Sequence, residues 1–562
     1  MTKIFDFHFH MLFKHCITRD KKGKPFPFNE EIKTHAVGAV LNDLFGGPFN
    51  SQSSPSQVSE SALWAGVTSI ISIEYAFAER ILHVLGIDFS GLLPLDADMI
   101  KRTASAQTTY WDEFNSHINY NLKVEPLLKD PRFNIHFVKR ADFAGKTAEE
   151  IEQFLQSGTQ RNLAFSIEGG HNFSNVPIRN LDGIISTDPE VRLKELQERN
   201  DIDFISINLC HLSDIPEQRL AGFSQGINKM SGIAFRSDYF KPVADFGISA
   251  AGKRFIIQAL THPTRPVMID IKHMSLYSRL EYYRFREKLT TTNRKTDSLP
   301  IISSHTGFTF TTIEDYIDNK RFRSKISGTP AAIKEVSIEP ENRKIGRTND
   351  FLNKGLFCMP WTINLFDEEI VEIMQTGGLI GITIDQRVLG ASNPAVDSLR
   401  TDYFEQEFVA VREWEKLFKK GERPAVERLT HTEGLKPDRS ERHIMLFCLH
   451  LVHAVRVGYT HLNWIEGTSP WKHICIGTDF DGLINPMNGY DTIKDLEFLE
   501  KDLRKYLPVA DKHIKFYKDV TALRYNTDGT VNNAFLNEAI SDFLFGNGVR
   551  MMAKYLNNYG IK

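Results

Sequence analysis

The sequence has little cysteine. Its 562 residues contain five: Cys16, Cys210, Cys358, Cys448 and Cys475. The number is odd, and no pair has the C-x-x-C spacing of a redox or zinc motif, so neither a disulfide framework nor a thiolate metal site has sequence support. A reduced, cytoplasmic chain is the simple expectation. Charge of one sign is not in excess either. Lys and Arg number 68 and Asp and Glu 71, a net of −3. That balance supplies no electrostatic reason for a nucleic-acid partner. No apolar run approaches the ~20 residues that span a bilayer, so no membrane partner is expected. The opening MTKIFDFHFH lacks the apolar stretch and small-residue cleavage site of a signal peptide. Short-period repeats and long low-complexity tracts are missing, and residues 46–59 read as a loop by composition.

What is present is a large apolar share, 41% hydrophobic residues, enough for an extensive core. Short apolar runs recur at residues 3–7, 67–73, 163–167, 204–208, 266–270, 300–304, 378–384 and 473–477. They are mostly apolar throughout and do not alternate, as in parallel strands covered on both faces. Helical stretches lie between them. DEEIVEIM at 367–374 is acidic at its start, and Gly377 and Gly378 can end it. Eight such strands predict an α/β fold, a (β/α)8 TIM-type barrel. The whole chain, 1–562, is expected to form one such unit. A bare strand-helix repeat takes about 30 residues. The spacing here is longer, so insertions are expected at about 11–61, 79–159, 307–360 and 390–461. The third is rich in charge and turn residues and reads as a lid or a surface excursion.

Histidines and carboxylates cluster at the ends of these runs. His8 and His10 are two apart on a strand, so they project to one face, where two imidazoles can grip a divalent ion. Glu168 follows SI and precedes two glycines, and a carboxylate there could bridge two metals. His273 and His305 each stand just past an apolar run. In a parallel barrel such ends converge on one face, where catalytic residues sit. Imidazole and carboxylate without thiolate suit zinc, with manganese, iron or cobalt as options. Asp479 emerges at the same rim and can take a proton from metal-bound water. Asp481, beside Gly482, reads as a turn-capping carboxylate. His211, ending the fourth run, could polarise a carbonyl.

Three other patterns compete. Gly222-Phe223-Ser224-Gln225-Gly226 matches a nucleophile elbow, but no strand-like stretch precedes it. The segment 247–254, GISAAGKR, nearly matches a phosphate-binding loop, yet Arg254 replaces the magnesium-binding hydroxyl; it reads as a helix start with Ser249 as cap. His450 and His453 have helical spacing and read as a buried helix face.

Taken in order, DFHFH (6–10), SIEGGH (166–171), INLCHLSD (207–214), GISAAGKRFI (247–256), MIDIKHMS (268–275), IISSHTG (301–307), NLFDEEIVEIMQTGGLIGI (364–382), HLNWI (461–465), IGTDFDG (476–482) and FGNGVR (545–550) resemble the membrane (renal) dipeptidase family, metallopeptidases of the amidohydrolase superfamily. The resemblance implies a (β/α)8 barrel with two divalent ions, usually zinc. His8 and His10 would hold one, His273 and His305 the other, and Glu168 would bridge them. Asp479 would be the acid/base residue and His211 the substrate-binding, oxyanion-stabilising one. The implied reaction is hydrolysis of a dipeptide-like amide bond by a metal-bridging hydroxide.

Two departures bear on the substrate. The family commonly has H-x-D where this chain has His8-Phe9-His10. The family's Arg-Asn pair before strand seven, whose arginine helps hold the substrate carboxylate, aligns with Ile363-Asn364. An uncharged substrate end is therefore expected, unless Arg321, Arg323, Arg343 or Arg347 of the insertion supplies the cation. The alternatives are an amidohydrolase acting on a non-dipeptide amide, lactone or ester, a serine hydrolase using Ser224, and a non-catalytic binding barrel. The expected partner is a small-molecule substrate, with a second copy of the chain, as a homodimer, carried as a candidate.

Overall fold

The computed structural model describes residues 2–20, 23–34, 49–83, 95–105, 107–179, 183–226, 238–242, 247–292, 299–318, 322–329, 332–340, 358–390, 407–418 and 439–560. Twelve strands are described. In chain order they are β1 Ile4–Phe9, β2 Leu63–Ile70, β3 Ile135–Phe137, β4 Arg161–Ile167, β5 Phe204–Asn208, β6 Met268–Asp270, β7 Ser303–Thr306, β8 Phe322–Thr329, β9 Ala332–Pro340, β10 Ile380–Ile382, β11 Glu407–Val409 and β12 Ile474–Ile476. Eight of them pair in parallel in the order β6-β5-β4-β2-β1-β12-β10-β7. A parallel bridge between Asp270 and Ile302 brings the two ends together. The ring is thus a (β/α)8 barrel, and each of the eight apolar runs contributes one strand.

The strands are mostly apolar because both faces are covered, and the polar residues they carry are buried too. All six residues of β1 are buried, as are all of β5, β6, β7, β10 and β12. Outward, Phe5 meets the C-terminal helix Asn547–Leu556, and a Cβ on Gly548 would lie 1.9 Å from the Phe5 ring. Asn547 of the same FGNGVR segment donates to the carbonyls of Trp471 and Ile474 at 2.6 and 2.7 Å, so this motif fastens β12 and is structural. Inward, Asp6 accepts from the Thr478 amide at 2.9 Å and its hydroxyl at 2.5 Å, stapling β1 to the end of β12. Asp270 accepts from the amides of Lys272 and Ser304 at 3.0 and 3.2 Å, doing the same for β6 and β7. Gly381 and Gly477 approach the Ser304 carbonyl so closely that a Cβ would lie 1.8 or 1.9 Å from it.

The insertions contain structure that composition alone did not predict. β8 and β9 form an antiparallel hairpin inside 307–360, extended by β11 from the fourth insertion. Val336, Ile338 and Val409 of this sheet bury against Leu276, Tyr316 and Phe366. The helix Arg439–His461, within 390–461, buries a long face against the barrel. His450 and His453 lie on that face. His450 accepts from the Phe308 amide at 3.0 Å, and His453 pairs with Asp367 at 2.8 Å. The helix predicted at 367–374 runs Asp367–Gln375, with Gly377 at φ 72° just beyond it. Ser249 caps Ala250–Thr261 by accepting from the Gly252 amide at 2.9 Å. Among the described residues no helix is long and apolar enough to cross a membrane, and all five cysteines are free thiols.

Candidate metal centre

The barrel strands deliver His8, His10, Glu168, His211, His273, His305 and Asp479 to one end of the ring, where all seven meet. The Glu168 carboxylate is the hub. Its Oε2 lies 3.1 Å from His10 Nε2, and its Oε1 lies 3.1 Å from His273 Nε2. Oε1 is also 3.5 Å from His8 Nε2, 3.6 Å from His211 Nε2 and 3.7 Å from His305 Nε2. The Nε2 atoms pair among themselves, His8 with His10 at 3.2 Å and His273 with His305 at 3.1 Å. Asp479 Oδ1 stands 3.5 Å from His10 Nε2 and 3.8 Å from His8 Nε2. Two sets of donor atoms lie close enough to share an ion: His8, Glu168, His305 and Asp479; and Glu168, His211 and His273. These sets share Glu168, but they divide the histidines differently from the sequence pairing, because the His8 and His305 rings stack at 4.1 Å across the barrel.

The tautomers follow from the outer contacts. Ser304 Oγ lies 3.2 Å from His8 Nδ1 and 2.9 Å from His305 Nδ1. One hydroxyl oxygen can accept from both Nδ1–H groups, which turns both Nε2 lone pairs toward Glu168. His211 Nδ1 donates to Glu74 at 2.9 Å, and the same carboxylate accepts from the Leu212 amide at 3.3 Å and the Ser213 hydroxyl at 2.6 Å. Inward-facing imidazole lone pairs about 3 Å apart repel unless a cation or proton lies between them. The set therefore fits divalent ions: nitrogen and carboxylate oxygen donors, no sulfur, and outer contacts that orient His8, His305 and His211.

Electrostatics reflect the crowding. Burial alone would raise the Glu168 carboxyl, but His211, His8, His10 and His273 hold it well below the usual range. Burial would lower His10, yet Asp479 and Glu168 outweigh it and push it up to about 10. Burial and the neighbouring His211 push His273 down to about 3, and burial with His8 lowers His305. Asp479 is raised, first by burial and then by the Glu168 charge. His273 and Asp479 both have left-handed backbone, φ 72° and 63°, a conformation that side chains other than Gly, Asn and Asp rarely adopt.

Beside this cluster opens a cleft of about 670 Å³, solvent included. Its apolar wall includes Phe77, Leu212, Met359, Ile363 and Val388, so Ile363 does face the space next to the centre. Two cations also line it, Lys272 and Arg387. Of the insertion arginines, Arg321, Arg343 and Arg347 lie outside the described residues, as does the side chain of Arg323. Sequence reasoning missed Glu74, Ser304, Lys272 and Arg387. Glu74 carried a usable signal, since it ends the second apolar run as Glu168 ends the third. Ser224 is buried; its hydroxyl donates to the Met274 carbonyl at 3.1 Å and bonds Thr362 at 3.0 Å, and among the described residues no histidine ring is hydrogen-bonded to it. Asp481 is held by the Gln52 and Ser53 amides at 2.8 and 2.9 Å and by Lys14 at 2.7 Å, a structural role.

No family model and no curated protein matches the sequence. Among solved structures, the chain is similar to dipeptidase AC, a metallopeptidase of family M19, at 11% identity and TM-score 0.43 over 100% of this chain and 99% of that one. It is similar to a Rhodobacter sphaeroides metallopeptidase liganded with a phosphinate mimic of L-Ala-D-Ala, at 11% identity and TM-score 0.44 over 99% of each chain. It is also similar to the probable dipeptidase PvdM of Pseudomonas aeruginosa, at 12% identity and TM-score 0.45 over 99% of this chain and 96% of that one.

Proposed function

We propose that the chain is a dinuclear metal-dependent hydrolase, most readily a zinc enzyme, that cleaves a dipeptide-like amide bond. The observation that carries this reading is the Glu168 carboxylate, whose two oxygens each lie 3.1 Å from a different imidazole at the mouth of the barrel. Following the family resemblance, His8 and His10 would hold one ion and His273 and His305 the other, with Glu168 shared between them, although the donor distances group His8 with His305 and His273 with His211. The ions would supply an activated water at neutral pH and polarise the carbonyl under attack. His211 gives its Nδ1–H to Glu74 and would stabilise negative charge growing on the carbonyl oxygen as an imidazolium, through Nε2–H; burial opposes that second proton, but the Glu168 and Glu74 carboxylates raise the ring's affinity for it. Asp479 accepts the proton of the attacking water at its carboxylate and returns it to the leaving nitrogen. Its raised affinity for protons suits a group that must hold one between two steps. The apolar wall excludes water from the departing group.

Ile363 in the cleft wall favours a second reading, an amidohydrolase acting on a non-dipeptide amide, lactone or ester. A hydrolysis screen of the metal-replete protein with L,L-dipeptides, L,D-dipeptides, N-acyl amino acids, lactones and esters separates the two. Cleavage of dipeptides supports the first. Cleavage of lactones or esters alone supports the second, and turnover that persists without metal defeats both.

A further inference from the structure

We infer that Lys272 is the receptor for a carboxylate on the substrate, and that the cleft selects substrates carrying one. This rests on the proposal that the cleft beside Glu168 is the substrate site. Lys272 follows β6 and lines the cleft together with His211, His273 and Asp479. Its side chain is only 3% exposed, and its Nζ is buried with no hydrogen-bond partner. A buried ammonium without a partner is costly, and natural interiors rarely keep one.

The neighbouring carboxylates are engaged elsewhere. Asp270 accepts from the amides of Lys272 and Ser304. Asp385 is clasped by Arg387, with Nε at 3.0 Å and Nη2 at 2.5 Å. Asp479 Oδ1 faces His10 and His8. Arg387 is thereby matched by Asp385 and also donates to the Leu483 carbonyl at 3.0 Å. Lys272 is the cation lining the cleft whose donors no described residue takes up. A compact ammonium buried beside the apolar part of the wall attracts one carboxylate oxygen, because little water screens the pair. The nearby negative charges of Asp479 and Asp385 disfavour a dianion such as a phosphoryl group. The charge that Ile363 lacks therefore comes from the end of an adjacent barrel strand and not from the insertion.

The test compares N-acetyl-D-alanine with its carboxamide as ligands of the metal-replete protein by calorimetry, alongside hydrolysis of Ala-Ala and Ala-Ala amide. The acid is expected to bind about 10- to 100-fold tighter than the amide, the range of a charged hydrogen bond. Lys272→Met should bring that ratio to within about threefold of unity, with metal content and Tm undiminished because a buried unpaired charge is removed. Lys272→Arg should restore part of the preference, and Lys272→Gln serves as the neutral variant if Lys272→Met fails to fold. Equal binding of acid and amide to the wild type overturns the inference. So does an acid preference that survives in the neutral variants, which would place the carboxylate on the metals. Should no preparation cleave an amide while acid binding still depends on Lys272, the hydrolase reading falls and the anion site stands. Should amides be cleaved with no dependence on Lys272, the reverse holds.

Discussion

Glu74 and His211, 137 residues apart in sequence, share a 2.9 Å contact between a carboxylate oxygen and Nδ1. That contact decides which imidazole nitrogen faces the cleft. With Nδ1–H given to Glu74, Nε2 is left toward Glu168 and the substrate. Glu74 is 1% exposed, and His211 and Ser213 hold it down to about 2 although burial opposes this, so it is ionised throughout the working range. Glu74→Ala should lower kcat/KM about 10- to 100-fold, the usual cost of losing such an outer partner. Glu74→Gln, which can still accept from Nδ1–H, should recover part of it. Equal activity in all three proteins would remove Glu74 from the mechanism.

Asp479→Asn tests the proton shuttle. It keeps the size of the side chain and one acceptor oxygen, so the fold and most of the metal should remain. The rate constant kcat should fall by at least about 10²- to 10⁴-fold, as for other general acid-base groups. Pre-steady-state and steady-state hydrolysis of one dipeptide decide the matter, and a near-normal kcat would exclude the role.

Ser224→Ala is the opposite case. The hydroxyl is buried against the Met274 carbonyl and Thr362. The variant should retain activity within about threefold of wild type, the scale of losing one ordinary hydrogen bond. The wild type should also resist a serine-directed phosphonylating reagent. Stoichiometric labelling of Ser224 with loss of activity would revive the serine mechanism.

A pH effect on stability arises away from the centre. Glu407 of β11 accepts from the Thr362 amide at 2.9 Å and from its hydroxyl, and burial pushes it up to about 8. A free Glu titrates near 4.3. Below that value both folded and unfolded chains hold the proton, and the contribution is fully present. As pH rises toward the folded value, the unfolded chain releases a proton that the folded one keeps. Stability then declines by up to about 1.4 kcal/mol per pH unit from this group. Glu407→Gln should flatten the fall of Tm between about pH 5 and 8. An unchanged slope would show that Glu407 is ionised in the native state.

The barrel was legible because its strands are mostly apolar. Phe5, Phe7 and Phe9 of β1 pack outward while Asp6 and His8 point inward, and this period of two also made the His8/His10 pair visible. Glu168, His273, His305 and Asp479 were legible for the same reason, each standing just past such a run. Contacts between distant segments were not. Ser304 reads as a small polar residue until the ring places its oxygen within 3.2 Å of His8 Nδ1. Lys272 looks like a surface lysine beside a histidine, and only the cleft shows its Nζ buried and unpartnered. The β8–β9 hairpin escaped because charged residues interrupt its apolar ones, so neither period stands out in the sequence. The left-handed backbone at His273 is not marked by a glycine, whereas Asp479 is a residue type that tolerates it.

The most direct measurement is amide hydrolysis by one preparation before chelation, after chelation and after titration with zinc, with the bound metal counted at each stage. Glu168 and the five imidazoles around it form a donor set suited to metal ions. Activity should fall to background when the metal is stripped and return as occupancy approaches two ions per chain. The Glu168→Ala protein should fail to regain either. Full activity in strictly metal-free protein would contradict the metal-dependent mechanism outright.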